Sequence, residues 1–269
     1  MFNIVLLILL LTIILVPLYV LGPSFSLSVW RINWPFFAVW VLIFSLFNVF
    51  YFTNRQLFFL LEKEDWPVLI SYLEGRVIQR GNYSPRLVRL LANSYLVLSD
   101  SSAVTSLENK LAIVKPALLN ANALVFGTAR ILENDISGAI RFLETRKATV
   151  KNKLKDWVFW YCAFALLLNR QFETAAADFS FLVRESKDGI ITALSSYFLS
   201  ESMTLVLPAN EGQFRKISEE GRGRVLEALP TYESYKKEVS RFSTEIHVAF
   251  ISRYLDESGR WLYGTLDRA

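Results

Sequence analysis

The chain holds one cysteine, Cys162, and one histidine, His247. A thiol and an imidazole are the pair that thiolate-type nucleophilic catalysis requires. A zinc site needs several His or Cys ligands, and one of each is too few. Cys162 stands between Tyr161 and Ala163 in an apolar helical stretch, where a free thiol behaves as a small hydrophobe. It has no second cysteine with which to close an internal disulfide, in keeping with a reducing compartment. Ser234-Tyr235-Lys236-Lys237 has the serine–lysine spacing of some acyl-transfer nucleophiles, but none of the accompanying motifs occurs. Gly221-Arg222-Gly223-Arg224 lacks the Gly-Lys-Ser/Thr ending and the preceding strand of a phosphate loop. Glu62, Glu64 and Asp65 form an acidic cluster that suits acid–base chemistry, yet it reads better as charge placed favourably at a helix start. Asn82-Tyr83-Ser84 is a formal glycosylation triplet, and Pro85 follows it. The chemistry-bearing residues therefore assemble no nucleophile with its base, and a non-catalytic protein without cofactor or metal is the expectation.

The elements that must position these residues fall into two regimes. The first 61 residues carry only two charges, Arg31 and Arg55. Phe2 to Leu21 and Trp34 to Phe52 are uncharged apolar runs, each close to the ~20 residues that a helix needs to cross the hydrocarbon core. A helix satisfies its own backbone in lipid, so a two-helix transmembrane hairpin over residues 1–61 is predicted, with a loop over 22–33 around the turn signal Gly22-Pro23-Ser24. Pro17 is expected to bend the first helix near its end. A cleaved signal peptide is the competing reading of the first run. Its lack of an N-terminal Lys or Arg, its length and the absence of a small-x-small site argue against cleavage. Tyr19, Trp30, Trp34, Trp40 and Tyr51 include rings suited to the headgroup level. Arg55, Lys63, Arg76 and Arg80 after the second run outweigh Arg31, which places the C-terminal part in the cytoplasm by the positive-inside rule.

The whole chain has 29 Lys and Arg against 25 Asp and Glu. Without Arg31 and Arg55 the rest is nearly neutral, and no basic stripe of the kind that marks a nucleic-acid binder is visible. From Lys63 onward the apolar residues follow a helical period, as in Trp66, Leu69, Ile70, Leu73 and Val77. Gly81-Asn82 stops that helix, and Ser84-Pro85 caps and begins the next.

Small residues then recur. Ala92, Gly127 and Ala163 lie 35 and 36 positions apart, and Ala139 and Ala175 lie 36 apart. Ala163, Phe172, Ala175 and Phe179 form the clearest unit; Gly127, Ala139 and Leu143 form another; Leu91 to Tyr95 leading to Pro116 forms a third. Small residues on facing helices permit close approach, while large ones fill the groove between hairpins. The pattern over about 63–207 resembles the tetratricopeptide repeat (TPR). That resemblance implies an α-solenoid whose concave face, lined by the first helix of each hairpin, holds a protein partner. After Pro208 the register breaks. The segment Pro208 to Gly223, with Gly212, Gly221 and Gly223, reads as a loop or a short helix between loops. Helices follow over Arg224 to Leu229 and Tyr232 to Tyr254, with a short final stretch. The predicted architecture is thus all-α: hairpin 1–61, TPR-like repeats 62–207 and a C-terminal helical cap 208–269. The layout also resembles the HemY-type bacterial inner-membrane proteins, which implies an adaptor at a bacterial cytoplasmic membrane.

On this reading the partner-binding candidates are Arg86, Arg89, Asn93, Asn122, Arg130 and Trp157, since arginines in a groove can hold a partner's carboxylates in paired hydrogen bonds. The basic run Arg146, Lys147, Lys151, Lys153 and Lys155 is either a solvated loop between repeats or a contact for anionic lipid. The expected function is a membrane-anchored protein–protein interaction scaffold. The alternatives are a structural subunit of a larger membrane assembly and a membrane enzyme whose site goes unrecognised.

Overall fold

The computed structural model describes residues 22–150, 153–241 and 246–264, together with 8, 11, 12, 15, 16 and 18–20. The side chains of 23–30, 37, 153, 246 and 247 lie outside that description, as does most of the first apolar run, including Pro17. The regular elements of the described residues are all helices, with no strand among them. The chain divides into two compact units, Met1–Glu64 and Asp65–Ala269.

In the first unit, Pro23–Glu62 (α1) is one continuous helix of 40 residues. The predicted loop over 22–33 is therefore corrected: the helix runs unbroken from Pro23, with Gly22, at φ 77°, just before it. Pro23 fills the first turn, where its missing N–H removes no intrahelical bond. The stretch Arg31–Glu62 is long and apolar enough to cross a membrane, a criterion that a signal sequence also meets, and none of its most apolar window is buried. Between Arg31 and Arg55 the helix is uncharged over a rise of roughly 36 Å, which brackets a hydrocarbon core of about 30 Å. Ser45, Asn48, Thr53 and Asn54 each donate to the carbonyl four residues earlier. Each thus has a donor bonded within the helix, without water.

The second unit is built from α2 (Trp66–Glu74, prolonged by a π-helical stretch Gly75–Gln79), α3 (Pro85–Val97), α4 (Ser101–Val114), α5 (Ala117–Ala121), α6 (Ala123–Leu132) and α7 (Ile136–Lys147). These are followed by α8 (Lys153–Leu168), α9 (Phe172–Glu185) and α10 (Gly189–Tyr197, prolonged by the π-helical Phe198–Met203 and the turn Thr204–Val206). The last are α11 (Glu211–Ala228), α12 (Tyr232–Ser240), α13 (Ile246–Phe250) and α14 (Ser252–Leu262). From α6 to α11 each helix packs on the next; alternate helices also touch, α3 on α6, α6 on α8, α8 on α10 and α9 on α11.

Three of the connections share one backbone geometry. Ser99, Asn134 and Arg170 are left-handed, with φ of 58°, 61° and 60°. Each donates its N–H three residues back, to Leu96, Ile131 and Leu167, and the next residue closes a longer bond at 2.9 Å, Asp100 to Tyr95, Asp135 to Arg130 and Gln171 to Leu166. This double closure satisfies the last carbonyls of one helix. The Asp100 and Asp135 carboxylates then accept from the N–H of Ala103 and Gly138, both at 3.0 Å, and so begin the following helix. Glu64 (φ 52°) and Asp65, which caps α2 through Val68, repeat the left-handed residue and the cap. Positions 64, 99, 134 and 170 are spaced by 35, 35 and 36 residues.

The small residues lie where helices press together. A Cβ on Gly127 of α6 would stand 2.6 Å from Leu143 Cδ2 of α7. Ala163 and Ala175, on α8 and α9, are fully buried. The predicted loop, or short helix between loops, over Pro208 to Gly223 is corrected: from Glu211 the long helix α11 runs unbroken through all three glycines, and Gly221 lies against α10 and α9, where a Cβ would meet Ser196 Oγ at 2.2 Å and Val183 Cγ1 at 2.6 Å. That glycine marks close approach rather than a turn. The predicted Tyr232–Tyr254 helix is also divided, into α12, α13 and the start of α14. Because α11 packs on α10 and α14 on both α10 and α12, the predicted repeat and cap regions form a single compact unit.

Candidate partner-binding face

The helices α3, α6, α8 and α10 touch in turn, α3 on α6, α6 on α8 and α8 on α10. The chain's own C-terminal segment lies on two of them, with α13 against α6 and α14 against α10. Phe164 of α8 meets Phe250 of α13 and Tyr254 of α14, at ring-centroid distances of 6.2 and 5.5 Å. The open concave surface expected from the repeat pattern is thus corrected over α6, α8 and α10. A cleft of about 470 Å³ remains beside the segment, lined by Ile131, Leu168, Phe250 and Tyr254, with Asn134 and Arg253 as polar groups.

The segment is firmly fastened. The Tyr235 hydroxyl reaches the Leu255 carbonyl at 3.0 Å and Ser258 Oγ at 2.9 Å. Tyr197 donates to Glu257 at 3.1 Å, and Arg222 donates to the Leu262 carbonyl at 3.0 Å. Burial, with no formal charge to relieve it, holds the Tyr235 phenol well above its ordinary range. Gly259 admits the Tyr235 ring, which a Cβ would approach to 2.8 Å. Nothing in this arrangement resembles a loose flap.

Where α4 and α6 meet, Arg130 binds Glu108 through two hydrogen bonds and Asp135 through a third at 2.8 Å. Burial opposes the Arg130 charge, but the two carboxylates outweigh it and raise its pKa. Arg146 packs 3.4 Å from the centre of the Phe142 ring and donates to the Phe142 carbonyl. Burial, above all, lowers its pKa, with neighbouring Arg130 adding to that and Glu108 opposing it. Arg130 is thus a strut between helices.

The other sequence-predicted candidates separate by burial. Arg86 and Arg89 are exposed on α3, and Asn93 is half-buried. Asn122 is 3% exposed, with its amide donating to the Leu118 carbonyl, and Trp157 is 4% exposed. Both belong to the packed interior, which corrects their placement on an open groove. In the basic run, Lys147 pairs with Asp178 of α9 and lies over the Phe159 ring, while Lys155 stands 5.8 Å from the same ring. Lys147 therefore ties helices together instead of facing lipid. Lys151 and the Lys153 side chain lie outside the described residues.

The remaining motifs resolve into structural roles. Cys162 is fully buried, and burial above all pushes its thiol up to about 11, well out of the reactive range. The His247 side chain lies outside the described residues. Ser234 closes a reciprocal cap with Thr231 at the start of α12. Arg224 donates to the carbonyls of Val183, Arg184 and Ser186, and so caps the C-terminal end of α9 with positive charge. Ser84, in the glycosylation triplet, caps α3 through the Leu87 N–H. Among the described residues no three His, Cys, Asp or Glu side chains gather as a metal site. Glu108 escaped the sequence reading because a cross-helix partner 22 residues away leaves no periodic signal. The aspartates at 65, 100 and 135 did leave one, in the same spacing as the turns.

A family model described as an uncharacterised Treponema protein matches residues 103–264. A protein of Treponema pallidum (strain Nichols), itself described only as uncharacterized, is 35% identical over 181 residues, covering 66% of this chain and 58% of the relative. The chain thus aligns with little more than half of that relative's length. No solved structure matches it. The family match begins within α4 and ends just beyond α14, so it takes in the Arg130 network, the turns at Asn134 and Arg170, and the C-terminal segment.

Proposed function

We propose that this chain, which belongs to the family of uncharacterised Treponema proteins, is a membrane-anchored, non-catalytic scaffold that holds another protein at the bilayer. The second unit is read as a solenoid of TPR-like hairpins. The observation that carries this reading is the return of one left-handed turn at Glu64, Ser99, Asn134 and Arg170, in the 35- to 36-residue period of such repeats. The membrane-crossing length of α1 supports the anchor. The first apolar run is read as a second span, in the layout of the HemY-type proteins of the bacterial inner membrane. Arg55, Lys63, Arg76 and Arg80 then hold the second unit on the cytoplasmic side.

Since α13 and α14 lie on α6 and α10, partner capture is assigned to α3, where Arg86 and Arg89 are exposed. Guanidinium groups there suit a partner segment bearing carboxylates. The test places a photo-crosslinking residue at Arg86 in the full chain, in membranes of the native host. A defined protein adduct that Arg89→Glu weakens, with the chain still retained after alkaline washing, is expected. Release of the chain by alkaline washing refutes the anchor. Retention without an adduct at position 86, or with one that Arg89→Glu leaves unchanged, refutes the site on α3. A C-terminal reporter active only outside the cytoplasm refutes the orientation.

A further inference from the structure

In the second unit, tight turns make consecutive helices antiparallel. The connections therefore gather at two ends. By this alternation the short left-handed turns at Ser99, Asn134 and Arg170 fall at one end, and the connections over 80–84, 115–122 and 186–188 at the other. The second end carries an apolar tip. Residues 112–117 are all exposed, and five of the six, Ala112, Ile113, Val114, Pro116 and Ala117, are apolar. Ile113 is 85% exposed and Val114 51%. A water-facing helix end has no use for such a run, since each side chain leaves its apolar area in solvent. Cations flank it. Lys110 precedes the run and Lys115 follows Val114 within it, and Lys115 donates to the Tyr83 carbonyl, which brings the loop that carries the exposed Arg80 alongside. The turns at the opposite end carry Asp100, Glu133, Asp135 and Glu173, with the exposed Arg170 among them.

We infer that the tip Ile113–Val114, ringed by Arg80, Lys110 and Lys115, dips into the interface of an anionic bilayer and holds this face of the domain against the membrane. Apolar side chains that enter the headgroup boundary and cations that stay among the phosphates are the two halves of interfacial binding. The occupant is taken to be lipid because the ring is cationic and the chain itself carries α1, a helix of membrane-crossing length. This inference rests on the membrane reading of α1 and adds a second, peripheral contact at residues outside the Lys147–Lys155 run.

The test uses the full chain in nanodiscs of phosphatidylcholine with or without phosphatidylglycerol. An environment-sensitive dye is attached in turn at Ile113→Cys, at Leu205→Cys and at Phe47→Cys, and quenched by spin-labelled lipid; buried Cys162 stays unlabelled. Leu205 is a matched control, 81% exposed, on the prolongation of α10 that leads to Pro208. Quenching at 47 in both compositions is expected. Quenching at 113 is expected to exceed that at 205 several-fold, only with phosphatidylglycerol, and to vanish in the Lys110→Glu, Lys115→Glu variant. Quenching at 113 equal to that at 205, with 47 still quenched, overturns the lipid contact and leaves the anchor standing. No quenching at 47 overturns the anchor and this inference with it. Protection of the dye at 113 only when a second protein co-purifies assigns the tip to a protein partner and overturns the lipid contact.

Discussion

The Glu108 carboxylate and the Arg130 guanidinium meet across α4 and α6 in a paired contact, at 3.1 and 3.0 Å, with both side chains mostly withdrawn from solvent. Removing Arg130 strips the mostly buried Glu108 carboxylate of its paired hydrogen bonds. Arg130→Ala is expected to cost about 3–5 kcal/mol of stability. The double variant Arg130→Met, Glu108→Leu is expected to recover most of it. Denaturant titrations of the three proteins check this. A loss below about 1 kcal/mol in the single variant would mean that solvent reaches the pair.

Gly127 is held against Leu143. Gly127→Val is expected to overpack the α6–α7 contact and to cost about 1–3 kcal/mol. Adding Leu143→Ala should restore part of that loss, because the valine enters the space the leucine leaves. Melting temperatures that fall by the same amount in the single and double variants would show that the two sites do not share this contact.

The left-handed turns separate two effects by position. Ser99→Gly relieves the Cβ strain at φ 58° and should stabilise by up to about 1 kcal/mol. Asp100→Ala removes a helix cap and should destabilise by roughly 0.5–2 kcal/mol. Asp135→Ala should cost more than Asp100→Ala, since Asp135 also pairs with Arg130. Equal losses at 100 and 135 would deny that link.

Cys162 carries a pH dependence. Its thiol is raised from 9.0 to about 11 in the fold, chiefly by burial. The unfolded chain therefore loses the proton first, and stability falls as pH rises through this window, by at most about 1.4 kcal/mol per pH unit. Cys162→Ala should flatten the stability profile above pH 9. Iodoacetamide at pH 8 should modify the wild-type thiol only after denaturant is added; rapid modification of the native protein would show an open path to Sγ.

Much of the local structure was legible in the residues. The cap at Ser84, the helix-starting Pro85 and the break at Gly81 are all decided within a few positions of the chain. The small residues Gly127, Ala163 and Ala175 announced close helix contacts because only small side chains permit them. By contrast, Gly221 reads identically as a turn signal and as a packing residue, and only the presence of Ser196 and Val183 beside it distinguishes the two.

The sequence by itself determined the regimes: an uncharged stretch long enough for lipid, then amphipathic helices broken at a regular interval. Those properties follow from hydrophobicity and backbone preference, which act locally and repeat along the chain. The tertiary structure alone decided which polar residues face water. Arg130 and Arg86 are both helical arginines in sequence, yet one is held by Glu108 and Asp135 while the other is exposed on α3. Likewise, only the fold laid α13 on α6 and α14 on α10. Burial is the sum of contacts from residues far apart in the chain, and a periodic pattern marks a helix's apolar stripe without naming what will cover it.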